Sequence, residues 1–203
     1  MEILNCEQAV AEIRAGGLVA VPTESSYALC SRIDHGSGIV RLLEIKTGRQ
    51  TPVATMVANL SYMTEFINID DICSVATGEH FWPGPLTLLF PARASVDQRL
   101  LAGSQDLGVR IPKDPRAMRL LNLLEMPVTA TSANFPGSEP ITDCDDLGAQ
   151  FPDLPVLFGG DSGRAVPSTV ATVQGGDLTI LREGAVTSHS LEKFVEKMQA
   201  ANG

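Results

Sequence analysis

The chain has 203 residues, of which 44% are hydrophobic and 19% are charged, a balance that is typical of a folded globular protein and excludes an intrinsically disordered one. Fifteen Lys and Arg residues stand against 24 Asp and Glu residues, which gives a formal net charge of −9. Because phosphate binding depends on clustered positive charge, broad attraction to nucleic acid is not expected, whereas a local basic crevice is compatible with this composition.

Helical and strand patterns alternate along the chain without a repeat or a low-complexity linker, which predicts a mixed α/β layer structure. Residues 5–14 carry apolar residues at helical spacing and stop at a pair of glycines. Further helices are predicted around residues 39–46, 61–66, 70–79 and 114–124, from a capping box at Thr142, and from Ser190. Strands are predicted at residues 17–22, 53–58, 86–90, 107–111, 127–131, 156–158, 169–173 and 178–181, the last two joined by a hairpin turn at 175–177.

The length fits one domain with a substantial core, so we expect a single domain over residues 1–203. Residues 1–7 lack the basic residues and the apolar segment of a signal peptide, and no apolar run approaches the ~20 residues of a membrane span. We therefore expect a cytoplasmic protein that does not bind a membrane. Without a Cys-x-x-Cys pair or a His at metal-ligand spacing, neither a zinc site nor a disulfide framework is indicated. We expect reduced and mostly buried thiols at Cys6, Cys30, Cys73 and Cys144.

Short polar side chains follow the first long strand, where an apolar run breaks at Pro22. Thr23, Glu24, Ser25 and Ser26 come directly after that break. In open α/β sheets, ligands sit in the crevice outside the strand ends, and hydroxyl groups there can hydrogen-bond a small polar substrate. For this segment alone, an ordinary hydroxyl-rich turn is the alternative.

Polar residues recur at the ends of the other predicted strands. They are Arg110, Ser132, Asn134, Ser168, Thr169 and Arg182. The set offers hydroxyl, amide and guanidinium groups but no nucleophile with an obvious base, so it favours binding and positioning over covalent catalysis. The alternatives are a surface ion pair for Arg110, an exposed strand end for Arg182 and a capped turn for Ser132 and Asn134.

Six motifs follow one another in order between residues 22 and 184. They are Pro22-Thr23-Glu24, Phe81 to Thr87, Gly108 to Pro112, Thr131 to Gly137, Pro167 to Val170 and Ile180 to Gly184. This order resembles the YrdC/YciO family, whose characterised enzymes are threonylcarbamoyl-AMP synthases. The resemblance implies a YrdC-like fold, in which a twisted mixed β-sheet flanked by helices surrounds a concave crevice. It also implies L-threonine, bicarbonate and ATP as substrates, with Mg²⁺ on the phosphates and no dedicated metal site in the protein.

The resemblance further implies roles for individual residues. Threonine would be held by Thr23, Arg110 and Ser168, with Arg110 on its carboxylate. The ATP phosphates and the nucleotide would be bound by Lys46, Ser132, Asn134 and Arg182. Catalysis would depend on Lys46 and Arg49.

Two segments depart from the family pattern. Active members usually show Lys, one residue, Arg and then Pro after the second helix, whereas this chain reads Lys46-Thr47-Gly48-Arg49-Gln50-Thr51-Pro52. Arg49 therefore lies one place late. The run from Ser25 to Cys30 looks closer to the YciO branch, whose role is less settled.

The sequence leaves two functions open. The first is a nucleotidyltransferase of the threonylcarbamoyl-AMP synthase type, which serves modification of the tRNA adenosine next to the anticodon together with tRNA-modification partner proteins. The second is a YciO-like protein that binds double-stranded RNA, tRNA or a nucleotide without efficient synthase activity. The complete set of strand-end residues favours the first function. The altered loop after Lys46 favours the second.

Overall fold

The computed structural model describes residues 1–48, 50–163 and 166–202, which form two mixed β-sheets flanked by helices. The predicted mixed α/β fold class is confirmed, with the strands divided between two sheets rather than collected in one. The strands are β1 (Ile3–Leu4), β2 (Val19–Pro22), β3 (Tyr27–Cys30), β4 (Thr55–Met56), β5 (Leu86–Pro91), β6 (Asp106–Arg110), β7 (Val128–Thr129), β8 (Thr131–Ser132), β9 (Val156–Leu157), β10 (Thr169–Gln174) and β11 (Asp177–Arg182).

The first sheet has the strand order β1-β9-β2-β3-β8, and the second has the order β11-β10-β5-β6-β4-β7. In the first sheet, β2 and β3 form an antiparallel hairpin in which Pro22 lies opposite Tyr27. In the second sheet, β10 and β11 form the predicted hairpin, and its turn consists of Gly175 and Gly176 at φ +59° and +93°. A two-residue hairpin turn with positive φ at both positions favours glycine, so the prediction of a turn there is confirmed.

Most of the helices begin after a residue whose side chain caps them, whereas the helix Ser37–Ile45 begins after Gly36, which makes no side-chain cap. Asn5 and Gln8 form a reciprocal capping box at the first helix, and Asp114 caps another helix whose first residue is Pro115. The capping box predicted at Thr142 is wrong, because the side chain of Asp143 accepts the first free N–H groups of that helix. The helices are α1 (Cys6–Arg14), α2 (Ser37–Ile45), α3 (Ile72–Phe81), α4 (Gln98–Leu101), α5 (Pro115–Leu124), α6 (Cys144–Gln150) and α7 (Ser188–Asn202), with a 3₁₀ helix at Leu60–Met63.

The two sheets meet within the segment that the sequence predicts as one strand over residues 127–131. Its first half, β7, pairs with β4 in the second sheet, whereas its second half, β8, pairs with β3 in the first. Between them, the Ala130 N–H donates to the Ala54 carbonyl at 2.7 Å. The chain thus passes from one sheet to the other at Ala130 and brings Ser132 and the residues after it to the first sheet.

The core lies between the sheets and the helices that cover them. On the outer face of the first sheet, Ala9 and Ile13 of α1 pack with Leu120 and Leu121 of α5 against Val19 of β2, and all five are fully buried. A larger cluster that includes Leu29, Ile39 and Leu88 fills the rest of the interior. This packing stabilises the strands whose ends carry the candidate site.

The cysteines of this chain are free thiols, and two of the four, Cys6 and Cys30, are buried. Burial raises the pKa of the Cys30 thiol far above its ordinary value, which keeps it protonated and unreactive. Among the described residues, none of the helices has the length and apolar character needed to cross a bilayer.

Candidate active site

The strand register brings four polar residues to one edge of the second sheet. Three of them were predicted from the sequence, namely Arg110, Ser168 and Arg182, and the fourth is Thr87. The strand β6 runs antiparallel to β5, so Arg110 at its end lies beside the beginning of β5 and Thr87. The strand β10 runs parallel to β5, so Ser168, directly before β10, lies at the same edge. The strand β11 runs back along β10 and places Arg182 beside Val170. Strand ends that are far apart in sequence therefore meet at one crevice.

Arg110 is held from three sides. Its Nη2 lies 2.6 Å from Glu24 Oε1, and the same nitrogen donates to Ser25 Oγ at 3.3 Å. Its Nε donates to the Gly84 carbonyl at 3.2 Å, at the corner formed by Trp82 to Pro85. The side chains of Arg110 and Glu24 are only 11% and 18% exposed, so this ion pair belongs to the interior of the site and not to the surface.

Glu24 is ionised in this environment. Burial raises the pKa of its carboxyl, but the charge of Arg110 and the N–H of Lys113, which donates to Oε1 at 3.0 Å, outweigh burial and hold the pKa below its ordinary value. The second oxygen, Oε2, is buried and accepts no hydrogen bond from the described residues. The sequence places Glu24 at a strand end beside Thr23, but it predicts no specific contact for this carboxylate.

Arg182 and Ser168 form a second pair at the same edge. Arg182 Nη2 donates to the Ser168 carbonyl at 2.8 Å and lies 3.3 Å from Ser168 Oγ, which in turn lies 3.0 Å from Thr87 Oγ1. Burial, and then the nearby charge of Arg110, lower the pKa of the Arg182 guanidinium, although it remains charged at neutral pH. Two half-buried or buried guanidinium groups that repel each other suit a site for an anion.

Lys46, Ser132 and Asn134, three of the four residues that the resemblance assigns to the nucleotide, form a hydrogen-bonded group of their own. Lys46 is 5% exposed, and its Nζ donates to the carbonyl and to Oδ1 of Asn134, each at 2.7 Å. Ser132 Oγ donates to the same Oδ1 at 2.6 Å. The Asn134 amide also donates to the carbonyls of Phe135 and Ser138, so it closes a turn as well. This group can present an ammonium and a hydroxyl at a fixed place.

The turn between β2 and β3 lies between the residues around Arg110 and the group formed by Lys46, Ser132 and Asn134. It carries Glu24 on one side, and the N–H of Ala133 donates to the Tyr27 carbonyl at 2.7 Å on the other. Thr23 is 3% exposed, and its Oγ1 donates to the Ser26 carbonyl at 2.7 Å, so this hydroxyl closes the turn. A contact between Thr23 and a ligand stays a prediction.

Gly163 crosses the back of this turn. Its N–H donates to the Thr23 carbonyl at 2.8 Å, and a Cβ at this position would lie 2.1 Å from the Glu24 carbonyl oxygen. Only glycine permits this approach. The segment around Gly163 thus fixes the backbone of the turn from which Glu24 projects.

The sequence predicted no role for Thr87 or Gly84, although the structure places both beside predicted site residues. Thr87 is the last residue of the motif from Phe81 to Thr87, and this position could have indicated that it belongs to the site. Arg49, predicted to contact the phosphates, lies outside the described residues. Within the described ranges, no group of three or more His, Cys, Asp or Glu side chains is arranged to hold a metal ion.

The Glu24–Arg110 pair predicts a loss of stability in acid. Because the pKa of Glu24 in the folded protein lies below its ordinary value of 4.5, the pair stabilises the fold above that pH and loses its effect as the pH falls through the lower value. We expect the difference in free energy of unfolding between the wild type and Glu24→Gln to be largest near neutral pH and to shrink below about pH 5. Urea unfolding followed by Trp82 fluorescence at a series of pH values measures this difference. A difference that does not change with pH would contradict the assignment.

Curated relatives match most of the chain. A threonylcarbamoyl-AMP synthase of Klebsiella pneumoniae is 30% identical over 177 residues, which cover 84% of this chain and 92% of that one. A threonylcarbamoyl-AMP synthase of Bacillus subtilis is 28% identical over 203 residues, covering 97% of this chain and 58% of that one. The chain thus spans little more than half the length of the Bacillus relative.

Solved structures match the fold over nearly the whole chain. Pyrococcus abyssi Sua5 complexed with L-threonine superposes with a TM-score of 0.86 at 27% identity, covering 95% of this chain and 60% of that chain. Escherichia coli YciO superposes with a TM-score of 0.81 at 25% identity, covering 94% of this chain and 98% of that chain. The family model Sua5_yciO_yrdC, described as "Telomere recombination", matches residues 11–184. With this match over most of its length, the chain belongs to the Sua5/YciO/YrdC family.

Proposed function

We propose that this chain is an L-threonylcarbamoyl-AMP synthase, which converts L-threonine, bicarbonate and ATP into threonylcarbamoyl-AMP and pyrophosphate. The observation that supports it is the convergence of Arg110, Arg182 and Ser168 at one sheet edge. This convergence occurs in a fold that matches Sua5 complexed with L-threonine. The product would serve threonylcarbamoyl-adenosine modification of tRNA, together with tRNA-modification partner proteins.

In the proposed complex, threonine binds at the edge of the second sheet. Arg110 takes the threonine carboxylate, because a guanidinium fixed by Gly84, Ser25 and Glu24 can offer its remaining N–H groups in one direction. Ser168 and Thr23 contribute oxygen atoms beside it. The threonine amine, which becomes the carbamate, then faces the space between the two groups of side chains.

The ATP phosphates bind at the positively charged groups that do not contact the threonine carboxylate. These groups are Lys46, with Ser132 and Asn134, and Arg182. The carbamate oxygen attacks the α-phosphorus, and negative charge grows on the phosphates as pyrophosphate leaves. Fixed cations stabilise this charge more in the transition state than in the ground state. Mg²⁺ bound to ATP would neutralise part of the phosphate charge.

The experiment that tests the function is incubation of the purified chain with ATP, Mg²⁺, bicarbonate and each amino acid in turn. We expect pyrophosphate release only with threonine, and a product with the mass of threonylcarbamoyl-AMP. Omission of bicarbonate is the control, because the carbamate cannot form without it. Release of pyrophosphate that does not depend on an amino acid would contradict the proposal.

Threonine and ATP added together are expected to stabilise the fold. Both ligands bind the native state only, and a ligand at about 100 times its Kd raises the free energy of unfolding by roughly 2.7 kcal/mol. Thermal melting with Mg²⁺ and each ligand, alone and combined, measures the effect. The absence of any shift at millimolar concentrations would show that the proposed site does not bind these substrates.

The second candidate is a YciO-like protein that binds tRNA or double-stranded RNA without efficient synthase activity. The match to E. coli YciO over 98% of that chain favours it. Binding of this kind should be weak and steeply dependent on salt, since local basic residues act against a net charge of −9. Filter binding of tRNA at increasing salt measures this. Tight binding that persists at high salt, without pyrophosphate release, would place this candidate ahead of the first.

A further inference from the structure

We propose that Glu24 is the second anchor of the amino-acid subsite: its carboxylate accepts the α-amino N–H of the substrate while Arg110 binds the substrate carboxylate. The inference rests on the proposed function, because it concerns the same subsite. It makes Glu24 the residue that selects zwitterionic α-amino acids over simple carboxylic acids.

The position of Glu24 is the first reason. Its Oε1 is occupied, since it lies 2.6 Å from Arg110 Nη2 and accepts the Lys113 N–H at 3.0 Å. Its Oε2 is buried and accepts no hydrogen bond from the described part of the chain. A buried carboxylate oxygen without a donor is unfavourable, and such an atom beside a binding arginine indicates a ligand contact. Because the terminal torsion of glutamate is broad, a small rotation presents an oxygen to a donor that enters next to Arg110.

Charge is the second reason. Glu24 already neutralises Arg110, so a simple carboxylate that approaches Arg110 meets a carboxylate as well as a guanidinium. Like charges at this range oppose binding. A zwitterion brings an ammonium for Glu24 together with a carboxylate for Arg110, so every charge in the subsite stays paired. Arg182 donates to the uncharged oxygens of Ser168, so its positive charge can interact with the phosphates.

The contact also persists through the first step of the proposed reaction. When the ammonium reacts with bicarbonate to give the carbamate, one water and one proton are released to solvent, and the nitrogen loses its positive charge but keeps one N–H. That N–H can continue to donate to Glu24, which holds the nitrogen substituent in a fixed direction. Glu24 therefore acts by binding and orienting the substrate and not by removing a proton.

Calorimetric titration with two ligands and three proteins tests this role. The ligands are L-threonine and 3-hydroxybutyrate, which lacks only the amino group, and the proteins are wild type, Glu24→Gln and the control Asp34→Asn. Asp34 forms its own 2.6 Å ion pair with Arg32, so its variant loses a charge outside the site. We expect Glu24→Gln to weaken threonine binding about ten- to hundredfold, the usual range for one charge-assisted hydrogen bond. Binding of 3-hydroxybutyrate should be unchanged or tighter, because the competing carboxylate is gone.

Each other outcome is decisive. An equal loss for both ligands would overturn the proposal, because it would restrict Glu24 to orienting Arg110. Threonine binding that is insensitive to Glu24→Gln would overturn only this inference, whereas a wild-type protein that does not bind threonine would overturn the proposed function. Thermal melting verifies that Glu24→Gln is folded. If it is not folded, Glu24→Asp is used instead, because it keeps the charge but has a side chain shorter by one methylene. This variant should lose part of the preference for threonine over 3-hydroxybutyrate. An unaltered preference would overturn the proposal.

Discussion

Replacement of Arg110 by alanine is expected to reduce threonine affinity by on the order of 100-fold or more, because two charge-assisted hydrogen bonds to the carboxylate are each worth roughly 1.5–3 kcal/mol. Arg110→Lys should recover binding only in part, since an ammonium cannot reproduce the planar pair of donors. Calorimetric titration with threonine measures both variants. Unchanged affinity in Arg110→Ala would remove Arg110 from the site.

The same substitution is also expected to lower stability. Arg110 is 9% exposed and pairs with Glu24, so its removal leaves a buried carboxylate without its cation. Breaking a buried ion pair from one side typically costs roughly 3–5 kcal/mol, and the partial exposure of this pair places it at the lower end. The double variant Arg110→Ala/Glu24→Gln should regain much of the stability without regaining threonine binding. This comparison, made by urea unfolding and calorimetry, separates the binding role of Arg110 from its role in the fold.

The sequence identified candidate residues at strand ends, but it did not predict which of them meet at the second sheet. Arg110, Ser168 and Arg182 each stand at the boundary of a strand with a clear apolar pattern, and ladder register then forces them to one edge. The pair between Glu24 and Arg110 could not be predicted in this way. These residues are 86 positions apart, with Glu24 in the turn after β2 of the first sheet and Arg110 at the end of β6 in the second, so no local period or spacing connects them.

The predicted strand boundaries were wrong where backbone N–H groups donate to carbonyls outside the strand pairing. Residues 53–58 read as one strand, but only Thr55–Met56 pair as β4. The N–H of Val53 donates to the Leu100 carbonyl, and the N–H of Val57 donates to the Arg110 carbonyl. Residues 127–131 read as one apolar run, although the run is divided between two sheets at Ala130. An apolar pattern reports burial but not the neighbour against which a strand pairs.

Lys46→Met is expected to reduce pyrophosphate release by about 10²- to 10³-fold, the usual effect of removing one fixed donor to transition-state charge. Threonine affinity should remain close to that of the wild type, because Lys46 Nζ donates to Asn134, whereas the threonine carboxylate is assigned to Arg110. Methionine keeps most of the buried side-chain volume, and Asn134 Oδ1 still accepts the Ser132 hydroxyl. The matched control is Lys193→Met on the exposed face of α7, which should leave release unchanged. Equal losses of release and of threonine affinity would contradict a role restricted to the phosphates.

Arg49 extends this prediction to the loop that departs from the family pattern. If Arg49 reaches the phosphates in spite of its late position, Arg49→Ala should reduce pyrophosphate release far more than it weakens threonine binding, because the lost interaction is made mainly in the transition state. Gly48, at φ +80°, gives the chain the backbone freedom for such a path. A wild-type protein that binds threonine and ATP but releases no pyrophosphate would instead indicate a misaligned phosphate site. Deleting one residue between Lys46 and Arg49, which restores the usual Lys-x-Arg spacing, should then create activity, and a failure to do so would show that this loop is not the cause.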